Sequence, residues 1–513
     1  MPPMTAAVLT WPVGFVLLAT RAASALDARL TIETPGPTRV YLTDGAGAPR
    51  TPPGVLAYHK GDEHHFIVPG RLEIELPPGR YHLRAERSPE YRPVSMDLEL
   101  RVGERRRVEL RPERWTDMNA RGWYSGDLHN HRNVDDMPTL LLAEDLNLAP
   151  TLADWVWEDS QRGQAPVTSD PIRSVDARHA YSVLDKEVER LMEGPGAVDL
   201  LGLQSAIPFE GYRLSPPNDV FTEAAHRQGG YVDAEKIVWR DVPVLVALGQ
   251  IDFAGIVYNH FNRQDVEFET DRWGMIPKWR PEFNTVAGMP LWAMEVYYRF
   301  LNCGFRLPAS AGSASGVKAA PLGYNRVYVR LDEPFSYAAW FRALKAGRSF
   351  ATNGPLLFLT VDGREPGAVV KAADGAKLRV RVEAQSLRPL ERVEVLYRGG
   401  VVRTLRPPDT PDTPGAPGHL AAEFDFTPDR DGWIAARAFE RPGRTIRFSH
   451  TSPVYLERGV PGSAADDARF FVDWIDREVR LYQASTGFRS EADRAAMLNF
   501  FAKGRAAYER LAR

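Results

Sequence analysis

The sequence has 513 residues, of which 44% are hydrophobic and 26% are charged. At roughly 150 residues per domain, this length allows two to four domains that each bury a core, and the apolar content excludes a disordered chain. The 64 basic and 67 acidic residues are nearly balanced and form no long run of one sign, so no nucleic-acid partner is expected.

Residues 1–25 are predicted to be an export signal. Residues 5–20 form an apolar segment, and Ala23 and Ala25 supply the small side chains of a cleavage site. No Lys or Arg precedes the segment, and an uncleaved anchor is the alternative interpretation. Since this segment is short for a membrane span and no later one reaches about 18 apolar residues, we expect an exported protein, periplasmic or extracellular, with no integral membrane span in the mature chain.

Residues 26–113 alternate apolar and polar side chains between turn signals, as in Arg71–Leu76 and in residues 81–85 on either side of Pro77, Pro78 and Gly79. Short alternating strands at this spacing indicate a β-sandwich. Residues 357–460 show the same alternation, for example at 378–383 and 432–438, and predict a second β-sandwich.

Residues 114–356 have a different hydrophobic pattern, in which apolar runs alternate with helical patterns. Apolar runs at 243–248 and 252–258 follow one another, and residues 337–346 form a helical pattern that ends at Gly347. Alternation of this kind predicts an α/β layer or barrel that is large enough for a catalytic pocket. Residues 461–513 have helical periodicity and predict a C-terminal helical tail packed on the body.

The sharpest local signal is Gly-Asp-Leu-His-Asn-His at residues 126–131. On a strand, Asp127, His129 and His131 alternate in position and point to one face. Two imidazoles and a carboxylate on one face suit a divalent cation, or two ligands with Asp127 as a hydrogen-bond acceptor behind them. The alternative is a polar strand end with hydrogen-bonded histidines. The single cysteine, Cys303, leaves only His, Asp and Glu as metal ligands.

This motif resembles the opening motif of the PHP (polymerase and histidinol phosphatase) superfamily, and more closely that of the CehA/McbA-type metallohydrolase family. The resemblance covers roughly residues 26–460 and is most specific at 123–131, 298–313, 321–329 and 346–355. It implies a PHP-like distorted (β/α) barrel, flanked by the two sandwiches, with metals held by His and acidic residues at the C-terminal ends of the strands. Enzymes of the family hydrolyse esters, carbamates or phosphoesters.

Only part of the family's metal site is carried over. The second motif falls at Asp154, where Trp155 replaces the expected imidazole, and no glutamate follows Gly202. Ala314 and Gly316 stand where the closing Asp-x-His motif would place ligands. These replacements favour a second hypothesis, in which the barrel has lost catalysis and the chain is a secreted ligand- or glycan-binding protein.

Other residues offer replacements for the lost ligands. His260 ends an apolar run at the position where barrel enzymes place functional side chains, and Asn259 beside it is a candidate supporting residue. Where the family has a histidine after a Gly-Gly strand, this chain offers Glu235 or Lys236. The alternatives are a hydrogen-bonded histidine at 260 and a Glu235–Lys236 ion pair.

The remaining candidates lie in the most family-like loops. Arg306 is a candidate catalytic residue, because an arginine beside a metal can orient an anionic or carbonyl oxygen. Asn302, Asn325 and Arg326 are candidate substrate-binding residues. For all four, the alternative is that they satisfy backbone groups of the loops.

The sequence therefore predicts a metal-dependent hydrolase of small-molecule substrates. His129, His131, His260 and Glu235 would bind a divalent ion, most plausibly zinc or manganese with this all-N/O ligand set. Water activated by the ion would attack an ester-, carbamate- or phosphoester-type bond. Glu235, Lys236 and Arg306 would assist catalysis.

Overall fold

The structure is a computed structural model that describes residues 27–190, 192–268, 275–407 and 418–513. The predicted signal peptide, residues 1–25, lies outside the described residues. The described chain is a mixed α/β protein, rich in strands, that ends in a pair of helices. This confirms the predicted combination of α/β and all-β regions with a C-terminal helical tail. None of the described helices combines the length and apolarity needed to cross a bilayer.

The N-terminal region consists of two sheets that share one hydrophobic core. A three-stranded sheet has the order β5-β1-β9, and a five-stranded antiparallel sheet has the order β3-β4-β2-β6-β8. The alternating apolar residues of both sheets point into the same cluster, which includes Leu30, Val40 and Leu83. The strands are β1 Ala28–Glu33, β2 Thr38–Asp44, β3 Ala57–Lys60, β4 Glu63–Val68, β5 Arg71–Leu76, β6 Gly79–Glu86, β7 Tyr91–Arg92, β8 Val94–Leu100, β9 Arg105–Glu109 and β10 Glu113–Arg114, which pairs with β7.

The central region mixes short strands with helices. Its elements in chain order are β11 Trp123–Gly126, α1 Met137–Glu144, β12 Leu148–Ala149, β13 Asp154–Trp157, β14 Ser160–Gln161, β15 Ile172–Asp176, β16 His179–Ser182, β17 Lys186–Arg190, β18 Gly196–Leu201, α2 Asp219–Arg227, β19 Tyr231–Asp233, α3 Val242–Ala247, β20 Ala254–Val257, α4 Gly288–Asn302, β21 Ala309–Ala311, β22 Arg326–Arg330, α5 Tyr337–Lys345 and β23 Ser349–Thr352. Single 3₁₀ turns cover Val134–Asp136 and Pro281–Phe283.

The described strands of this region form open sheets and no closed barrel, so the predicted PHP-like distorted (β/α) barrel is not confirmed. A (β/α) barrel needs parallel neighbours joined by helices, whereas β17, β18 and β19 are successive antiparallel neighbours. The sheets β14-β13-β17-β18-β19 and β20-β21 contact each other through an isolated bridge between Asp233 and Phe253. A second bridge, between Asn130 and Ser315, joins the chain after β11 to the chain after β21. These bridges bring the ends of β11, β17, β18 and β19 together.

The C-terminal strands continue the central sheet. Strand β23 pairs with β31, so that one twelve-stranded sheet crosses the predicted boundary at residue 356. A separate sheet, β24-β26-β29, packs with it around a second core. The strands are β24 Leu356–Val361, β25 Val369–Lys371, β26 Leu378–Ser386, β27 Leu390–Tyr397, β28 Gly400–Leu405, β29 Gly418–Phe426, β30 Gly432–Glu440, β31 Phe448–Thr451 and β32 Val454–Glu457.

The final helices, α6 Ala465–Ala484 and α7 Glu491–Leu511, pack on the central region. The ring of Phe471 stacks on that of Phe300 with centroids 4.2 Å apart, and the Tyr508 hydroxyl donates to the Pro243 carbonyl oxygen at 2.8 Å. The apolar face of α6 therefore covers core residues of α4, and α7 packs on α3.

Candidate metal centre

His129 and His131 lie on the extended segment that continues β11. The His131 amide donates to the Ser315 carbonyl oxygen at 2.7 Å, and the Leu128 amide donates to that of Ala311 at 3.1 Å. Alternation along this segment brings both imidazoles to one face, with their Nε2 atoms 3.0 Å apart. The spacing that predicted a shared face is thus realised for the two histidines.

The third member of the group is Glu187, the second residue of β17. Its Oε2 atom lies 3.0 Å from His131 Nε2 and 3.6 Å from His129 Nε2. The three side chains are buried, with 4% of His129, 6% of His131 and 2% of Glu187 exposed. Separations of this size place all three atoms within about 2 Å of a common point, which is the bond length of zinc to nitrogen and oxygen ligands. The group can therefore hold a metal ion.

Two more carboxylates face the other nitrogen of His129. Asp199 Oδ2 lies 3.3 Å and Glu235 Oε1 lies 3.4 Å from His129 Nδ1. A proton on Nδ1 is favoured by these carboxylates, and it leaves the Nε2 lone pair directed at Glu187 and His131. This is the arrangement in which a ligating histidine is held in one tautomer by an acid behind it.

Charge in the cluster is concentrated around His129. Burial opposes the protonated imidazole, but Asp199 and Glu187 outweigh it and raise the pKa of His129 well above its ordinary value. Burial, followed by the nearby carboxylates of Glu187 and Glu235, raises the pKa of Asp199 well above its ordinary value. Neither carboxylate oxygen of Asp199 has a hydrogen-bond partner among the described residues. A buried acid without donors is costly, and a cation in the cluster would offset that cost.

Glu235 and Lys236 are both brought into this cluster. The Lys236 ammonium donates to Glu235 Oε1, and the Trp239 indole donates to Glu235 Oε2 at 2.7 Å. Burial would raise the pKa of Glu235, but Lys236 and His129 hold it below its ordinary value. Glu235 thus combines the two interpretations made from the sequence, because it pairs with Lys236 and also contacts His129.

His260 is buried but does not belong to the three-residue group. Burial and the ammonium groups of Lys236 and Lys318 lower the pKa of His260 well below its ordinary value. Its ring contacts that of Tyr258, with centroids 5.9 Å apart. The buried Oδ1 atom of neighbouring Asn259 has no hydrogen-bond partner within the described part of the chain. This environment favours the neutral form of the His260 imidazole, and its role as a ligand stays a prediction.

Asp127 supports the site through the backbone. Its carboxylate accepts the amides of His129 at 3.2 Å, Ser313 at 2.9 Å and Gly323 at 2.7 Å. Asn325 has a similar position, because its side-chain amide donates to the carbonyl oxygens of Tyr258 at 3.1 Å and Gly312 at 3.0 Å. Both residues fix the loops around His129, and their contacts are with the backbone, as the alternative interpretation of the loop residues expected.

Close packing also fixes the His129 backbone. A Cβ atom at Gly312 would lie 2.4 Å from His129 Cβ, so only glycine fits there.

The remaining predicted residues make their contacts elsewhere. Arg306 is 59% exposed and pairs with Glu457 at 3.7 Å. Asn302 donates to Asp467 at 3.0 Å and accepts from the Trp433 indole at 2.9 Å, which joins α4 to α6 and β30. Arg326 is buried and donates from Nε to the Gly323 carbonyl oxygen at 2.6 Å. None of these contacts reaches the histidine pair.

Two residues of the second family-like motif also take structural positions. Asp154 pairs with the Lys186 ammonium at 2.8 Å. Trp155 packs against the His131 ring, with centroids 4.7 Å apart. An aromatic wall thus stands beside His131, where the resemblance would have placed an additional imidazole.

Sequence reasoning missed Glu187 and Asp199. Asp199 had a usable signal, because it is the only charged residue in an otherwise apolar strand, Gly196–Leu201. A lone carboxylate within a buried strand is costly unless it is paired or binds a cation. Glu187 lies in Lys-Glu-Val-Glu-Arg, whose alternating charges are typical of an exposed strand although all five residues are buried.

Comparisons with known proteins leave the family open. No family model matches the sequence, and no curated protein matches it. Among solved structures, the chain is similar to the N-terminal four Ig domains of Dscam1 isoform 8.4, with 8% sequence identity over 85% of this chain and 98% of that chain. The TM-score is 0.13, so this likeness carries no argument. The resemblance to CehA/McbA-type metallohydrolases stays a prediction.

Proposed function

We propose that this protein is a metal-dependent hydrolase of ester-, carbamate- or phosphoester-type bonds in small molecules. The observation that carries the proposal is the buried triangle of His129 Nε2, His131 Nε2 and Glu187 Oε2, whose sides of 3.0 to 3.6 Å match a shared cation. Zinc or manganese fits this all-N/O donor set. Three protein ligands leave coordination positions for water and substrate, which is typical of catalytic sites.

When bound, a divalent cation supplies Lewis-acid chemistry, because it polarises the scissile group and lowers the pKa of water. The residues of this chain supply the rest. Asp199 and Glu235, 3.3 and 3.4 Å from His129 Nδ1, favour a proton on that nitrogen through their charge, and Lys236 together with the Trp239 indole orients the Glu235 carboxylate. Glu235, whose Oε1 atom lies 3.4 Å from His129 Nδ1, would position that histidine rather than contact a water on its Nε2 side. The buried walls exclude bulk water and strengthen these charges.

A second candidate function is binding of a ligand without catalysis. Trp155 beside His131 and the small residues Ala314 and Gly316 take the places of further ligands, so that the described residues offer three ligand atoms to a shared ion. A metal that serves only to fix the fold, or a ligand held without turnover, would fit the same triangle.

Metal content and turnover measured together separate the two functions. The purified chain is stripped with a chelator, reloaded with zinc or manganese, and tested with chromogenic ester, carbamate and phosphodiester substrates. We expect about one metal equivalent per chain and turnover of at least one substrate class, both lost in His129→Ala and Glu187→Gln. His226→Ala is the control, since this histidine lies on α2 and pairs with Asp252.

Each outcome is decisive for one function. Metal bound by wild type without turnover of any substrate class supports the binding protein. If the reloaded wild type holds no metal, both versions of the metal centre are refuted.

We also propose that the protein is exported, on the pattern of residues 5–25. N-terminal sequencing of the protein recovered outside the cytoplasm tests this, with the mature chain expected to begin at residue 26. A recovered chain that still starts at Met1 would contradict cleavage.

A further inference from the structure

A cavity of about 290 Å³ lies apart from the histidine cluster, where three regions of the chain meet. Strand β6 and the loop after it border the cavity on one side, and the start of β22 with the loop before it on another. The ends of β23, β26 and β30 with the loops that follow them form the third side. It shares no lining residue with the triangle of His129, His131 and Glu187. Any ligand bound in this cavity would therefore occupy a separate site.

The lining is strongly basic. Seven arginines and three glutamates surround the cavity, and neither aspartate nor lysine lines it. Glu86 pairs with Arg39 at 3.2 Å and with Arg263 at 2.8 Å, and Arg84 also donates to it. Glu144 pairs with Arg39 as well, at 3.2 Å. The carboxylates thus converge on a subset of the arginines.

Among the described residues, three of the other arginines have no carboxylate partner and the fourth has a distant one. Arg87, Arg326 and Arg388 form no ion pair within 4.0 Å among the described residues, and Arg447 reaches Glu440 only at 4.0 Å. Burial and the nearby Arg447 lower the pKa of Arg388. Like charges that face one cavity repel each other, so this lining is unfavourable until an anion neutralises it.

Hydrogen-bond donors at the cavity are also left over. Arg326 Nη1, Arg87 Nε and the Tyr324 hydroxyl are buried and have no hydrogen-bond partner among the described residues. Buried donors are nearly always satisfied in folded proteins. Guanidinium groups pair with phosphate and carboxylate oxygens through two parallel hydrogen bonds. An anion of this kind would neutralise the arginines that have no close carboxylate and would accept from the buried donors.

We propose that this cavity is a binding site for a small anion that carries phosphate or carboxylate groups, held chiefly by Arg326, Arg388 and Arg447. Its volume lies near the lower end of the range for small-molecule sites, so the ligand is a compact metabolite rather than a polymer. Because the three bordering regions all contribute arginines, the bound anion would also tie these regions together.

Calorimetric titration at constant ionic strength tests the site. The probes are inorganic phosphate, glycerol 3-phosphate and citrate, so that a phosphate group and carboxylate groups are compared directly. We expect saturable binding of at least one probe with one site per chain. Arg388→Ala, an exposed position at the rim, should weaken that binding by about tenfold, since hydrogen bonds to charged groups are strong.

Two controls separate this site from other effects. Arg381→Ala removes another exposed arginine, which lies on β26 outside the cavity, whereas Arg388 follows the end of that strand; it should leave the affinity within about twofold of wild type. His129→Ala should bind the anion as wild type does, which separates this site from the metal centre. If none of the probes binds, or if Arg388→Ala and Arg381→Ala bind equally well, the proposal is overturned.

Discussion

Lys236 is the buried cation among the carboxylates near His129, and its removal is a sharp test of how this cluster is stabilised. Its side chain is 1% exposed and that of its partner Glu235 is 0% exposed. The ammonium also lies 4.9 Å from the ring centre of Trp239. Lys236→Met keeps most of the aliphatic stem but removes the charge, which leaves the Glu235 carboxylate buried without an ammonium partner.

The expected loss is large because one partner of a buried pair remains. Breaking such a pair costs about 3–5 kcal/mol. At about 2–4 °C per kcal/mol for a region of 150–250 residues, the Tm falls by about 6–20 °C. Thermal unfolding followed by circular dichroism, with chelator present so that no cation replaces the ammonium, measures this fall.

The control is Lys345→Met, because Lys345 also pairs with a carboxylate, that of Asp252, but is 46% exposed. An exposed pair contributes about 0–1 kcal/mol, so this Tm should fall by a few degrees at most. The double variant Glu235→Gln, Lys236→Met removes both charges and should recover most of the lost stability. A double variant as unstable as Lys236→Met would refute the charge argument.

Three further changes test other parts of the structure. Burial lowers the pKa of His450 to about 3, so on acidification the unfolded chain protonates this histidine before the folded chain does. The free energy of unfolding therefore falls by up to about 1.4 kcal/mol per pH unit as the pH drops below about 6.5. Urea unfolding of His450→Gln should show a shallower acid dependence than wild type, and equal slopes would contradict the burial effect. Asp127→Ala leaves three backbone amides without their acceptor and should weaken metal binding by about 10- to 100-fold in a chelator competition assay, whereas unchanged affinity would show that these amides do not position His129. Gly312→Ala should lower both the Tm and the metal content, at a cost of about 1–3 kcal/mol, while Gly443→Ala, where an added Cβ meets nothing within 4 Å, should change neither.

Alternation and helical periodicity predicted the types of element well. The alternating run Arg71–Leu76 is strand β5, and the helical pattern at 337–346 is α5, which begins after the capping side chain of Ser336. Short apolar runs are ambiguous, because a buried strand and a buried helix have the same composition. Residues 243–248 belong mostly to helix α3, which has Pro in its first turn, whereas residues 252–258 contain strand β20.

Local geometry predicted the site where its residues are neighbours in sequence, and the family resemblance added Glu235 and Lys236. His129 and His131 are two residues apart, so strand geometry alone gives their convergence. Glu187 and Asp199 come from other strands, and their approach depends on which strands pair, a long-range property that local patterns do not contain. Arg306 and Asn302 were placed near the site by resemblance, but their partners Glu457 and Asp467 lie in the C-terminal part of the chain.

The pairing of β23 with β31 means that strands of the central and C-terminal regions are hydrogen-bonded into one continuous β-sheet. Cutting the chain at residue 356 would remove β31 and leave β22 as the neighbour of β23. The amides and carbonyls on the other edge of β23 would then be open to any other extended peptide. Side-chain contacts would be severed too, since Asn353 both donates to Ile446 and accepts from Phe448. Expression of a chain that ends at residue 356 should therefore yield insoluble aggregates, whereas a chain that includes the following strands should stay soluble.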